Sequence, residues 1–320
     1  MRGEGRPRFN GAMAEHSLDH DLAAALPAGL TTRPLAFEDA TSVFEVMAAQ
    51  QQHDLGRVEI EEADIVGDWQ RPSFDISGST AGVFDGDRLV AYAEVGLAGR
   101  GDAAVDPAYG GRGLGTALAR WMQRRARAAG HSVIGMPVPA GSPGDRLLEE
   151  LGYHVRWTSW VLHLPEGATI PERPQPPGYV VRQARPEEYP EFHTVLEDAF
   201  LEWSVREREH FADFEAEIIR RPGFAPWQMR VVTEPGGAIV AVAVVQLAGH
   251  EAYVSRLATR ADQRGRGLAQ ALLVDCFEQA RGHGATKSGL STDSRTGALG
   301  LYQKVGMTVT DVWVNRAIEV

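Results

Sequence analysis

The sequence predicts a mixed α/β fold present twice in tandem, on three observations. The nonapeptide GGRGLGTAL at residues 110–118 returns as RGRGLAQAL at 264–272, an offset of 154 positions. The same offset holds without a gap from Arg127 to Arg281, Gly130 to Gly284, Gly135 to Gly289, Leu147 to Leu301 and Gly152 to Gly306. A chance match would not keep register through a helix, a turn, a strand and a second helix. Between the copies lies LPEGATIPERPQPPG (164–178), whose five prolines favour an extended spacer over a sheet interior. The expected division is a disordered extension at 1–28, one copy at 29–163, a linker at 164–178 and a second copy at 179–320.

Copy two opens with two polar–apolar helical segments, PEEYPEFHTVLEDAFLEW and REREHFADFEAEIIRR. Three strands follow, QMRVVTE, AIVAVAVVQLA and EAYVSRLAT, with PGG turning the first into the second. The glycine loop then leads into LAQALLVDCFEQARGHG, a helix with apolar residues three and four apart and a glycine at its end. A strand KSGLST, a short helix TGALGLYQKVG and a closing strand TVTDVWVNRAIE complete the copy. Copy one matches with STAGVFD, RLVAYAEVGLA and GDAAVDP ahead of its own loop.

Composition narrows the function. At 320 residues the chain can hold two cores, and 43% hydrophobic with 23% charged residues describes a globular protein. No apolar run reaches the length of a membrane span, and no apolar segment follows the basic N-terminus, so a cytoplasmic protein is expected. A net charge of −11 argues against nucleic acid as a partner. One cysteine, Cys276, excludes a disulfide framework and a thiolate metal cluster; on an amphipathic helix it reads as a buried inert thiol. His210 lacks metal-ligand spacing to any partner, and no metal is expected.

The loop combines Gly265 and Gly267 with Arg264 and Arg266 just before a helix. A helix start carries unpaired N–H groups and partial positive charge, and glycines let that backbone approach a phosphate closely. A P-loop is excluded because neither loop contains lysine, and a dinucleotide fingerprint because GRGLAQ lacks the third glycine.

Arg264-x-x-Gly267-x-Ala269, followed by Leu301-Tyr302-x-x-x-Gly306-Met307, closely resembles the two signatures of the GNAT superfamily of acetyltransferases. The resemblance covers both copies, and the tandem layout is similar to the mycothiol-synthase-like two-domain members. It implies two GNAT folds, each a largely antiparallel sheet flanked by helices, with acetyl-CoA as donor. Its pyrophosphate would lie on Arg264, Gly265, Arg266, Gly267, Leu268, Ala269 and Gln270, and its pantetheine arm along Leu257, Ala258 and Thr259. The matching residues of copy one are Ala103, Ala104, Val105, Gly110, Gly111, Arg112, Gly113, Leu114, Gly115 and Thr116.

Amide formation from a thioester needs a base for the amine and an acid for the departing thiolate. Tyr302 is the candidate acid by resemblance. Glu251, on a strand face with Tyr253 and Ser255, and Asp293, ending GLSTD, are candidate bases. The family often has Asn before the tyrosine helix, whereas this chain has DSRTGA. Glu197, Asp198, Glu202, Glu207 and Glu209 around Phe200, Trp203, His210 and Phe211 suggest an acidic, aromatic wall for a cationic amine. Of these, Phe200, Trp203, Glu207 and His210 are the candidate acceptor contacts.

Copy one departs from the pattern. Gly110 replaces Arg264, and Leu148 stands where copy two has Tyr302, so a proton donor is missing. Copy one is expected to hold acetyl-CoA or to act structurally, and copy two to catalyse transfer to a small-molecule primary amine. A non-catalytic acyl-CoA sensor and an acetyltransferase acting on a protein amine are the alternatives.

Overall fold

Seven consecutive buried residues, from Ile239 to Val245, mark the centre of the second sheet. A strand of alternating valine and alanine with both faces covered has no room for polar side chains. In the computed structural model, which describes residues 20–320, this strand sits in one of two compact units. One comprises the chain up to Arg156 together with Asn315–Val320, and the other Trp157–Val314.

In the first unit, residues 20–25 form a helix, α1, although the surrounding segment was expected to be disordered; residues 1–19 lie outside the described residues. Leu22 explains the helix, because it is fully buried. The strands β1 (Leu30–Arg33), β2 (Thr80–Asp85), β3 (Arg88–Val95) and β4 (Gly101–Val105) form an antiparallel sheet in that order. Helices α2 (Ala40–Leu55), α3 (Glu62–Trp69) and α4 (Ile76–Ser79) precede β2, and α2 and α3 pack Val43, Ile65 and Trp69 onto Phe84 and Tyr92. Helix α5 (Leu114–Ala128) buries Leu114, Leu118, Trp121 and Met122. Next come β5 (Val133–Pro139), α6 (Pro143–Glu150) and β6 (His154–His163), which crosses into the second unit. The chain's last residues complete the first unit: Val320 N donates to Ser132 O at 3.0 Å, and the buried Arg316 Nε to Asp145 at 2.7 Å.

In the second unit, β7 (Val180–Gln183) is an edge strand too short and polar to show periodicity. Helix α7 (Tyr189–Phe200) carries Pro190 in its first turn, where no N–H is needed. The second helical segment expected from sequence is broken. Only Phe211–Phe214 (α8) and a wide π-type turn, Glu215–Ile219, are helical. Residues 205–210 are not helical, and Arg206 and Arg208 pair back to Glu197 and Asp198 on α7. Strands β8 (Met229–Thr233), β9 (Ile239–Ala248) and β10 (Glu251–Thr259) follow as the alternation predicts, then α9 (Leu268–Gly282), β11 (Lys287–Asp293), α10 (Leu299–Lys304) and β12 (Thr308–Glu319). The sheet runs β6-β11-β10-β9-β8-β7, with β12 on the far side of β6 and β10–β11 a parallel pair. One core lies beneath α9 (Leu272, Phe277, Val240, Val254), another beneath α7 (Phe192, Leu196, Val242, Ala258). Among the described residues no helix is long and apolar enough to cross a membrane.

Candidate active site

The site is a wedge in the second sheet. β10 pairs with β9 along its length, but with β11 only from Glu251↔Lys287 to Val254↔Leu290. Ser255 is an extra residue in the β10–β9 ladder, a bulge between Val254 and Arg256, and such bulges bend a strand. β11 continues along β6 as far as Asp293↔Ser159, so the strands part where β10 bends. Beyond Val254 that edge of β10 no longer pairs with β11; Ser255 O accepts from Arg256 Nη1 and Thr259 O from Arg264 Nε, and the stretch between them suits an extended, amide-bearing ligand.

The wedge leads into the glycine loop. After a 3-10 turn at Ala261–Gln263 the chain reaches Gly265 at φ +77° and Gly267 at φ +82°, left-handed conformations that favour glycine. Gly267 caps α9 without a side-chain hydrogen bond, so the first N–H groups of Leu268, Ala269 and Gln270 lack a side-chain cap. A Cβ at Gly265 would meet nothing within 4 Å, whereas one at Gly267 would strike Arg173 Cδ at 2.8 Å. Linker residues therefore lie against the loop: Arg173 Nη2 donates to Gly265 O at 3.4 Å, and Gln270 Nε2 to Pro171 O at 2.5 Å. Arg264 Nε donates to Thr259 O at 3.1 Å, and Arg266 Nη1 to Tyr179 Oη at 3.2 Å. Three guanidinium groups and a helix start thus gather in one place, a cradle suited to a pyrophosphate.

Tyr302 lies on α10 in the core beneath α9, and burial pushes its phenol up to about 12. Glu251 sits in the closed half of the β10–β11 pair, its Oε1 2.8 Å from His163 Nε2, and His163 Nδ1 is 2.7 Å from Thr310 Oγ1. Asp293 ends β11 in the open half and accepts from Arg295 N at 2.9 Å and Arg295 Nη2 at 2.6 Å. Both carboxylates already serve local partners.

The acidic wall is largely neutralised by arginines. Glu197 receives Arg206, Asp198 receives Arg208, and Glu202 receives Arg264. Phe200 and Trp203 stand together at 5.4 Å, and Arg295 lies over both Trp203 (4.9 Å) and Trp157 (3.7 Å). Glu207 and His210 are exposed, and His210 caps α8 through its carbonyl. Missing from the sequence reading was a cluster under this wall. One ring nitrogen of His193 and one oxygen each of Glu197 and Glu209 all lie within 4.8 Å of one another. Both Glu197 oxygens are held by Arg206, at 2.8 and 2.5 Å, which disfavours a divalent ion there. The spacing of His193 and Glu197, one helical turn apart, was the available signal.

The first unit repeats the layout. Just before β4, Arg100 makes an isolated parallel bridge to Gly135 of β5, and Ala103–Val105 continue beyond it. Gly111 (φ +70°) and Gly113 (φ +85°) precede Leu114, Gly115 and Thr116 at the start of α5. Arg112 lies over the Tyr109 ring, and Tyr109 Oη donates to Asp85 at 2.7 Å. Leu148 is 3% exposed, a packing residue on α6. Glu94 faces Asp102 directly across β3 and β4, and burial with that neighbour pushes Glu94 up to about 7.

The acetyltransferase (GNAT) family model matches residues 44–153 and again 184–307. The chain belongs to the GNAT family. Among solved structures, a GCN5-related N-acetyltransferase from Sphaerobacter thermophilus is 25% identical with a TM-score of 0.70, over 92% of this chain and 96% of that one. A tandem GNAT protein from the clavulanic acid biosynthesis pathway is 18% identical at TM-score 0.69, over 91% and 98%. N-myristoyltransferase of Saccharomyces cerevisiae shares the fold at 14% identity and TM-score 0.68, over 100% and 86%. No curated protein matches the chain. This GNAT chain therefore carries two copies of an acyltransferase fold with a wedge and a glycine loop in each.

Proposed function

We propose that this protein moves the acetyl group of acetyl-CoA to the primary amine of a small molecule, with the chemistry in its second unit. The observation that carries the reading is the wedge at Ser255 in β10, the strand that runs on through Thr259 and one 3-10 turn into the loop Arg264–Gly267. The pantetheine amides would pair with the edge of β10 at Leu257–Thr259, and the pyrophosphate would lie on the N–H groups of Gly265–Gln270 with arginine counter-charge. Acetyl-CoA supplies an activated carbonyl, while Tyr302 protonates the departing sulfur. A neutral phenol with a raised pKa is in its donor form at every physiological pH.

In the first unit the loop geometry supports cofactor binding through backbone groups, and Leu148 supports the absence of transfer. Native mass spectrometry of the chain with acetyl-CoA, followed by an acetylation screen over primary amines, tests the proposal. One or two donor molecules per chain and an acetylated amine are expected. No binding at millimolar donor refutes it.

A further inference from the structure

The segment after α7 brings a buried imidazole face to face with a carboxylate that holds no arginine of its own. His193 is 5% exposed, and its Nε2 has no hydrogen-bond partner among the described residues. Glu209 Oε2 lies 3.9 Å away, beyond hydrogen-bond reach but close enough for one small group to touch both, and Glu197 is within 4.8 Å. Burial holds the imidazole below its ordinary pKa, so it presents a lone pair or a single N–H. The Glu209 side chain is 21% exposed, so a solute can reach it.

The charged groups around this gap come from every element that faces it. Glu197 on α7 holds Arg206, and Glu217 on the π turn holds Arg256 of β10 at 2.6 Å. Arg208 is turned to Asp198. Glu197, Glu209 and Glu217 with Arg206 and Arg256 sum to one negative charge when Glu209 is ionised. One monovalent cation balances that count. A divalent ion would overshoot it and compete with Arg206 for Glu197. Arg256 follows the bulge at which β10 leaves β11, so the gap borders the wedge.

We propose that this gap receives the acceptor as a primary ammonium, which donates hydrogen bonds to Glu209 and to His193 Nε2, and that Glu209 is the base. The inference rests on the acyl-transfer reading of the second unit. The ammonium gives one proton to Glu209, and the freed lone pair forms the C–N bond as the C–S bond breaks. Sulfur takes a proton from Tyr302; the second nitrogen proton restores the phenol, and Glu209 later releases its own to solvent. Burial, with Glu217 nearby, pushes Glu209 up to about 7, where a base is most effective near neutrality.

The test uses the full chain labelled with ¹⁵N and follows the His193 ring nitrogens by NMR. n-Butylammonium should shift the Nε2 resonance to saturation, and Glu209→Gln should abolish the shift. Tetramethylammonium, which has no N–H, should leave it unmoved. A response to zinc chloride but none to n-butylammonium overturns the proposal. In acetyl transfer from acetyl-CoA to n-butylamine, the rate should rise as pH passes about 7. Glu209→Gln should lose that rise and about 100-fold or more of kcat/KM. An unchanged pH profile in Glu209→Gln overturns the assignment of the base. Saturable n-butylammonium binding at His193, in a protein that acetylates no amine, would instead sink the acyl-transfer reading and leave the cation site standing.

Discussion

Glu202 grips Arg264 with both carboxylate oxygens, Oε2 to Nη1 and Oε1 to Nη2, each at 2.7 Å. The signature arginine of the glycine loop is thus tied to the segment that follows α7. A pyrophosphate must compete with that carboxylate for the guanidinium. The pair is half exposed and contributes about 0.2–1 kcal/mol, so Glu202→Gln is expected to tighten acetyl-CoA binding by up to roughly fivefold. Isothermal titration calorimetry of the two proteins measures the difference. Weaker binding in the variant would show that Glu202 positions the arginine rather than restrains it.

Tyr302→Phe keeps the packing beneath α9 and removes only a hydroxyl. Turnover is expected to fall by about 10²–10⁴-fold with the acetyl-CoA Kd unchanged. Stopped-flow or steady-state transfer assays beside calorimetry separate the two quantities. Unaltered kcat would assign the thiolate's proton to another donor.

Gly265→Ala and Gly267→Ala both force alanine into left-handed backbone, at roughly 1–2 kcal/mol each. Only the second also drives a methyl into Arg173. Both variants should melt at similarly lowered temperatures. Gly267→Ala alone should free the linker, seen as faster cleavage by a glutamate-specific endoproteinase after Glu172.

Glu94 has a folded-state pKa pushed up to about 7 from an ordinary 4.5. The fold favours its protonated form, so its contribution is complete below the unfolded value and is lost as pH rises through 7. Glu94→Gln removes that loss. The variant should therefore gain thermal stability relative to the parent at about pH 8.5 and gain little at about pH 5. Equal differences at both pH values would contradict a raised pKa.

Much of this architecture was written in local pattern. The repeat at an offset of 154, the alternation in Ile239–Ala248 and the glycines at 265 and 267 each announce themselves in a few residues. β1 and β7, each four residues long, are too short to show a period. The break after α7 was hidden because REREHFADFEAEIIRR has helical periodicity, while Arg206 and Arg208 pair with acids on the preceding helix. The same cause concealed the gap beside His193. Its members come from α7 and the segment after it, and their charge balance depends on Glu217 and Arg256 from elsewhere. A list of acids in sequence suggested a negative wall; arginines pair with three of the five and leave the exposed Glu207 and the half-buried Glu209.

The six residues Asn315–Val320 belong to the first unit, although the whole of the second unit lies between them and Arg156. During synthesis the Ser132 carbonyl and the Asp145 carboxylate stay unmatched until all of Trp157–Val314 has been translated. Damage confined to Asn315–Val320 would therefore injure the half of the protein that was translated first.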